Sequence, residues 1–263
     1  MGARIFDRDT HRVALTPAGE FLLPQVERLL REYEQVFRDF DDFVAGDTGL
    51  VRISALPSVS AVLLASTLAR CSAERPTLRF ELMEHVGDPV HRAVKDGAAD
   101  IAIGPQPADE DLNYRELLQE EIVLICTAGD PLAEKAEHDW SVFSSRPFLT
   151  LSPDTALRAM AEEALKRSGT SATPVFVCKH PSTLAAFVEE GMGIAALPRL
   201  AAEQVSGPAL VFRRLTGPAV SRSIGFVTHS RRSLSPAAKF LIQEVRAAAR
   251  KLAGQEGGGI RAR

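Results

Sequence analysis

Three short stretches carry the residue types best able to hold a ligand. "LPSVSA" (56–61) offers Ser58 and Ser60, "LSPDTA" (151–156) offers Ser152, Asp154 and Thr155, and "KHPSTL" (179–184) offers His180, Ser182 and Thr183. Each precedes or opens a run with helical apolar spacing, which sets hydroxyls beside the free backbone N–H groups of a helix start. Those groups and the helix dipole favour an anion. The same residue types also serve as plain N-caps without any ligand, and one hydroxyl can do both. Asp154 suits the cap reading, since a carboxylate repels an anion unless the ligand presents an amine or hydroxyl there.

Other chemistry finds less support in the spacing. His180 beside Ser182 is the nearest approach to an activated nucleophile, and no third group accompanies the pair. The six histidines form no HExxH and no tight pair, which argues against a metal site. "GMG" (191–193) ends a helix and enters a strand, the reverse of a dinucleotide-binding turn. Cys71, Cys126 and Cys178 stand far apart without any CxxC and read as buried free thiols. The sequence thus predicts no catalytic group, no metal and no cofactor.

The elements that must position these residues follow from periodicity. β-branched runs at 50–56, 78–84 and 100–104 alternate with helical patterns at 61–74 and 89–96, a βαβαβ unit with a parallel sheet. Runs at 121–127, 147–151, 174–178, 193–198 and 209–215, with helices at 154–167 and 182–190, make a second α/β unit. A late strand at 223–229 and an amphipathic helix at 236–252 close the body, and "GQEGGGIRAR" is expected to be a disordered tail, 253–263. Two such lobes (50–120 with 223–252, and 121–222) imply a cleft, with ligands bound where helix starts and strand ends face it.

An arm precedes the body. "RIFDRD" and "HRVALT" suit a hairpin turning at Asp9–Thr10, after which Thr16 caps a helix with Pro17 at its first position. Leu22, Val26, Leu29, Tyr33, Val36, Phe40 and Phe43 alternate by four and three, the seam of a coiled coil. A second row, Leu23, Leu30, Phe37 and Val44, widens the apolar face. The helix is therefore expected to touch both a partner helix and a packed domain of its own. "AGDTG" (45–49) has the composition of a hinge.

Bulk properties bound the class. With 263 residues, 45% hydrophobic and 25% charged, the chain has ordinary globular composition, and a net charge of −3 argues against a surface uniformly attractive to nucleic acid or membrane. Neither a secretory signal nor a membrane span is recognisable, so a cytoplasmic location and no membrane partner are expected.

"IFDR" (5–8), "LTPAGE" (15–20), "LLP" (22–24), "DIAIG" (100–104), "GDPLA" (129–133), "EEGMGIAALPRLA" (189–201) and "RSLSPAAKFLI" (232–242), in this order and spacing, resemble LysR-type transcriptional regulators. That resemblance implies an α/β, two-lobed, periplasmic-binding-protein-like (type II) effector domain preceded by a wing remnant (1–16) and a long dimerisation helix with hinge (17–49). It implies a homodimer or homotetramer paired through Leu22, Val26, Leu29, Tyr33, Val36 and Phe40. It also implies a small-molecule effector, an organic acid among the candidates, lined by Ser58, Ser60, Gln106, Thr127, Asp154, Thr155, His180, Ser182 and Thr183. Arg8, Arg12 and Thr16 on the wing would touch DNA phosphates. The family's helices ahead of the wing, including the one that reads the major groove, have no counterpart in these residues. The resemblance therefore assigns dimerisation and effector binding to this chain and DNA reading to the intact protein, and it predicts a helix-turn-helix in the reading frame upstream of codon 1. The alternatives are a solute-binding receptor and an enzyme on a related two-lobed scaffold.

Overall fold

The expected alternation of strands and helices is present in the computed structural model, which describes residues 3–9, 12–153, 155–254 and 260–262. The arm is a hairpin of β1 (Phe6–Asp9) and β2 (Arg12–Leu15), followed by helix α1 (Pro17–Ala45). Thr10, in the expected turn, lies outside the described residues. Thr16 joins hairpin to helix: its hydroxyl accepts the Gly19 N–H at 3.1 Å and donates to the Arg4 carbonyl at 2.7 Å.

Lobe one begins with β3 (Gly49–Ala55), which enters α2 (Pro57–Val59), a π-helical turn (Ser60–Leu64) and α3 (Ala65–Glu74) as one continuous helical path. β4 (Leu78–Glu84), α4 (Pro89–Lys95) and β5 (Ile101–Gly104) complete the βαβαβ unit, and β3 pairs parallel with both β4 and β5. The next strand, β6 (Leu112–Thr127), is far longer than the expected 121–127 and runs from lobe one into lobe two.

In lobe two, β7 (Glu137–Asp139), α5 (Val142–Ser145), β8 (Phe148–Leu151), α6 (Ala156–Ser168), β9 (Pro174–Cys178), α7 (Pro181–Glu189), β10 (Ile194–Pro198), α8 (Arg199–Gln204) and β11 (Leu210–Thr216) follow in order. β12 (Ser221–His229) returns to lobe one alongside β6, and α9 (Pro236–Ala253) covers it. The sheet order β4-β3-β5-β12-β6-β10-β8-β9 shows that β6 is the strand shared between the lobes.

The tail corrects one expectation. Residues 260–262, placed in a disordered segment by composition, form β13 (Ile260–Ala262) against β6, with Ile260 opposite Glu120 and Ala262 opposite Leu118. The physical reason is an open strand edge on β6 that backbone pairing satisfies, with Ile260 and Ala262 packing on the lobe-one core.

The core splits as the two lobes require. One cluster joins β3, β5, β12 and the buried stripe of α9 (Ala238, Leu241, Val245, Ala249). Two further clusters sit on either face of the lobe-two sheet, around Trp140, Phe143 and Phe148 on one side and Leu184, Val188 and Leu197 on the other. Leu200, on α8, is packed in the lobe-one cluster.

On α1, the row Leu23, Leu30, Phe37 and Val44, expected against a packed domain, is 43%, 57%, 51% and 55% exposed in this chain. Among the described residues its main contacts with other elements are to β2 and to α9. Its C-terminal end is fixed by Gly46, whose φ of 75° is a left-handed cap and whose Cβ, if present, would lie 3.0 Å from the Pro236 backbone. Arg75 braces the same joint, donating to the Ala45 carbonyl at 3.0 Å and pairing with Asp47 at 3.1 Å. The expected hinge 45–49 is thus tethered to the body, and Gly49 already belongs to β3.

Candidate effector cleft between the lobes

In parallel α/β sheets, ligand-binding groups gather beyond the carboxyl ends of the strands. In lobe one these ends are Ala55, Glu84 and Gly104, so the turns that leave them carry Ser58, His85 and Gln106. Ser58 is 6% exposed, in the first turn of the helical path rather than before it, and its hydroxyl makes no hydrogen bond among the described residues. Ser60 is committed locally: its hydroxyl donates to the Leu56 carbonyl at 3.2 Å, four residues back, within the π-helical turn. Gln106 is exposed, beside a turn that His91 holds by a 2.8 Å contact to the Pro105 carbonyl.

His85 escaped sequence reasoning. Its Nδ1 meets the buried Ser54 hydroxyl at 3.1 Å, while its backbone N–H bonds the Ala55 carbonyl at 3.0 Å. The available signal was its place immediately after β4, at the same edge as Ser58.

In lobe two, Leu151 at the end of β8 registers with Cys178 at the end of β9, which brings two of the expected stretches side by side. Ser152 donates to the Cys178 carbonyl from both its N–H (2.8 Å) and its hydroxyl (3.1 Å). Thr155 is the N-cap of α6, accepting the Arg158 N–H at 3.2 Å and donating to the Ser152 carbonyl at 2.8 Å. Asp154 lies outside the described residues. The start of α7 differs, because His180 occupies the cap position without a side-chain hydrogen bond to the helix. Ser182 and Thr183, in the first turn, are exposed. That helix start therefore keeps the polar hydrogens that Thr155 satisfies in α6.

Thr127 does not join this group. β6 runs antiparallel to β10, with Ile122 opposite Pro198 and Ile125 opposite Ala195, so Thr127 sits beyond the amino end of β10. It stands at the sheet edge opposite the starts of α6 and α7, and Ala128 follows it there.

Two further sequence expectations meet their structural outcome. Thr16, expected at DNA phosphates, is 8% exposed, and its single O–H is already given to Arg4. The side chains of Arg8 and Arg12 lie outside the described residues.

The lobes meet where α8 leaves β10. The carboxylate of Glu120, wholly buried on β6, accepts the Leu200 N–H at 2.6 Å and the Arg222 Nε at 2.6 Å. Arg222 is the register partner of Glu120 on β12, so one side chain ties both crossing strands to the first turn of α8. Residues of α2 pack against α8 on the cleft side of this joint.

The chemistry available is binding. Among the described residues no group of three or more His, Cys, Asp or Glu side chains is placed to hold a metal ion. Cys71, Cys126 and Cys178 belong to three separate clusters, all unpaired. Burial pushes the Cys126 thiol up to about 11, with the charge of Asp130 adding to it. No helix among the described residues is long and apolar enough to cross a membrane.

Known proteins match this arrangement. The family described as LysR substrate binding domain matches residues 45–250. An uncharacterized HTH-type transcriptional regulator of Shigella flexneri, YfeR, is 34% identical over 259 residues, covering 97% of this chain and 83% of its own. Among solved structures, the LysR family transcriptional regulator CbnR superposes with a TM-score of 0.74 at 18% identity, over 93% of this chain and 85% of its own. The effector binding domain of QuiR in complex with shikimate superposes with a TM-score of 0.64 at 15% identity, over 78% of this chain and 98% of its own.

Proposed function

The chain belongs to the LysR family of transcriptional regulators, and from that premise we propose that it senses a small organic acid in the cleft between its lobes. The observation that carries this reading is the set of hydroxyls left unused at two helix starts, Ser58 in lobe one and Ser182 with Thr183 in lobe two, each at the carboxyl edge of its sheet. Helix starts of this kind take carboxylates through backbone N–H groups. Shikimate, held by the QuiR effector domain, is such an acid. Gln106, His180 and Thr155 would complete the lining, with Thr155 shaping the α6 start rather than donating.

In the same reading α1 pairs two copies of the chain. Leu29, Tyr33, Val36 and Phe40 are 61%, 63%, 64% and 61% exposed along one face, more contiguous apolar surface than a lone helix keeps in water. Arg8 and Arg12 would contact phosphates in the DNA-bound assembly, which positions a protein without reading sequence. The working location is the cytoplasm.

The test is a thermal-unfolding screen of the full chain against organic acids. A ligand selective for the folded state at about a hundred times its Kd adds about 2.7 kcal/mol, and Ser58→Ala and Thr183→Ala should each cut the shift while leaving the unliganded melting point in place. A panel of acids producing no shift, or shifts identical in both variants, would remove the cleft from consideration.

A further inference from the structure

Lobe one carries a second concavity, of about 390 Å³, between α9 and the outer ends of β6 and β12. It is not part of the cleft. On β12, Gly225 stands beside Gly104 at the carboxyl end of β5 while Val227 stands beside Ala102. Thr228 and its register partner Asn113, which line the concavity, therefore lie toward the opposite edge of the sheet.

Its wall is apolar. Phe226 stands opposite Arg115 in the register of β12 and β6, so the two side chains share the face of the sheet that α9 covers. Leu234 and Ile242 continue the apolar surface.

The rim is cationic. Arg115 comes from β6, while Lys239 and Arg246 stand with Ile242 on one stripe of α9 at i, i+7 and i+3 spacing. None of these cations makes an ion pair among the described residues, whereas Arg70 and Arg52 elsewhere on the lobe are paired with Glu244 and Glu81. Arg246 lies 5.5 Å from the Phe226 ring centroid. Burial, and after it the like charges of Arg115 and Arg250, hold its pKa below the ordinary value. An anion seated between Arg115 and Arg246 would relieve that repulsion.

We propose that this concavity is a second ligand site, in which Arg115, Lys239 and Arg246 hold the phosphate or paired carboxylates of a small organic anion whose apolar body lies on Phe226, Leu234 and Ile242. The volume matches a small molecule, and arginine forks beside an aromatic face suit an oxyanion with a flat body. The site is independent of the cleft and of the reading proposed for it.

The experiment is calorimetric titration of the full chain with inorganic phosphate, succinate and phenyl phosphate, with phenol as the uncharged control. Phenyl phosphate should bind saturably and tightest, phenol not at all. Arg115→Gln and Arg246→Gln should each weaken binding by about tenfold or more, as loss of a charge-assisted bidentate contact does. Arg246→Lys, which keeps the charge and loses the fork, should fall between, and Ser58→Ala in the cleft should bind as the unaltered chain does. Circular dichroism melts identify the folded variants, and Arg115, exposed on its strand, supplies one whose folding is not at stake. Absence of saturable binding by all three anions overturns the proposal, as does binding undiminished in Arg115→Gln. Loss in Ser58→Ala places the anion in the cleft and overturns it too. So does a DNA duplex of arbitrary sequence that binds through Arg115 when the free anions do not.

Discussion

Glu120 offers the sharpest test of how the lobes are held together. Its carboxylate is fully buried and accepts two hydrogen bonds of 2.6 Å, from Leu200 N–H and Arg222 Nε. In Glu120→Ala the Arg222 guanidinium, with its side chain 15% exposed, loses its counter-charge, and the Leu200 N–H loses its acceptor. Breaking one half of a buried ion pair costs about 3–5 kcal/mol, and residual access of Arg222 to water places this pair near about 3 kcal/mol. The orphaned N–H adds about 1 kcal/mol. For a chain of this size the melting temperature should fall by about 8–16 °C. Glu120→Gln keeps one acceptor but points an amide NH2 at the other donor, so about half that loss is expected. Removing both charges in Glu120→Ala/Arg222→Ala should cost less than the two single changes together, because no charge is then stranded. Thermal and urea unfolding followed by circular dichroism measures the unaltered chain, Glu120→Ala, Glu120→Gln, Arg222→Ala and the double variant. A Glu120→Ala melt within about 2 °C of the unaltered chain, or strict additivity in the cycle, refutes the claim that this carboxylate joins the crossing strands to α8.

Other predictions are simpler to state. Leu29→Glu or Val36→Glu should convert the proposed dimer to monomer, read by light scattering after gel filtration; an unchanged mass would discard the α1 seam. Cys126 should give the chain an alkaline weakness: its folded-state value near 11 exceeds the ordinary thiol value of 9.0, so the stability it lends is complete below pH 9 and disappears as pH rises toward 11. Cys126→Ala should flatten that limb of the stability profile, and a profile identical in the two proteins would show that the thiol stays accessible. Alkylation at pH 8 should reach Cys178, which is partly exposed, before Cys71 or Cys126; mass spectrometry of the modified peptides gives the order directly.

What the sequence made legible follows from how local each signal is. Strands buried on both faces, such as Ile101–Gly104 and Ile194–Pro198, are continuous apolar runs, and helix α6 announces its start with a capping Thr155 and its end with Gly169 at φ 68°. These depend on a few adjacent residues. The first half of β6 does not: exposed Asn113 and Arg115 alternate with half-buried Tyr114 and Glu116, and what makes the segment a strand is the nine-residue partner β12, more than a hundred positions later. β13 was missed for the same reason, since three residues after a glycine-rich stretch become a strand only because β6 has an edge to offer. The candidate cleft shows the same division. Helix starts with Ser and Thr could be read directly, but which hydroxyls remain free depended on distant partners: Thr16 is consumed by Arg4, Ser152 by Cys178, and Thr127 is carried to the wrong edge by an antiparallel register. Glu120 is the extreme case, a carboxylate in an ordinary-looking "QEE" whose role exists only where β6, β12 and α8 converge. Charge at a strand crossing is therefore where sequence reasoning about two-lobed chains fails, because the residue answers to three elements and its neighbours in sequence record only one of them.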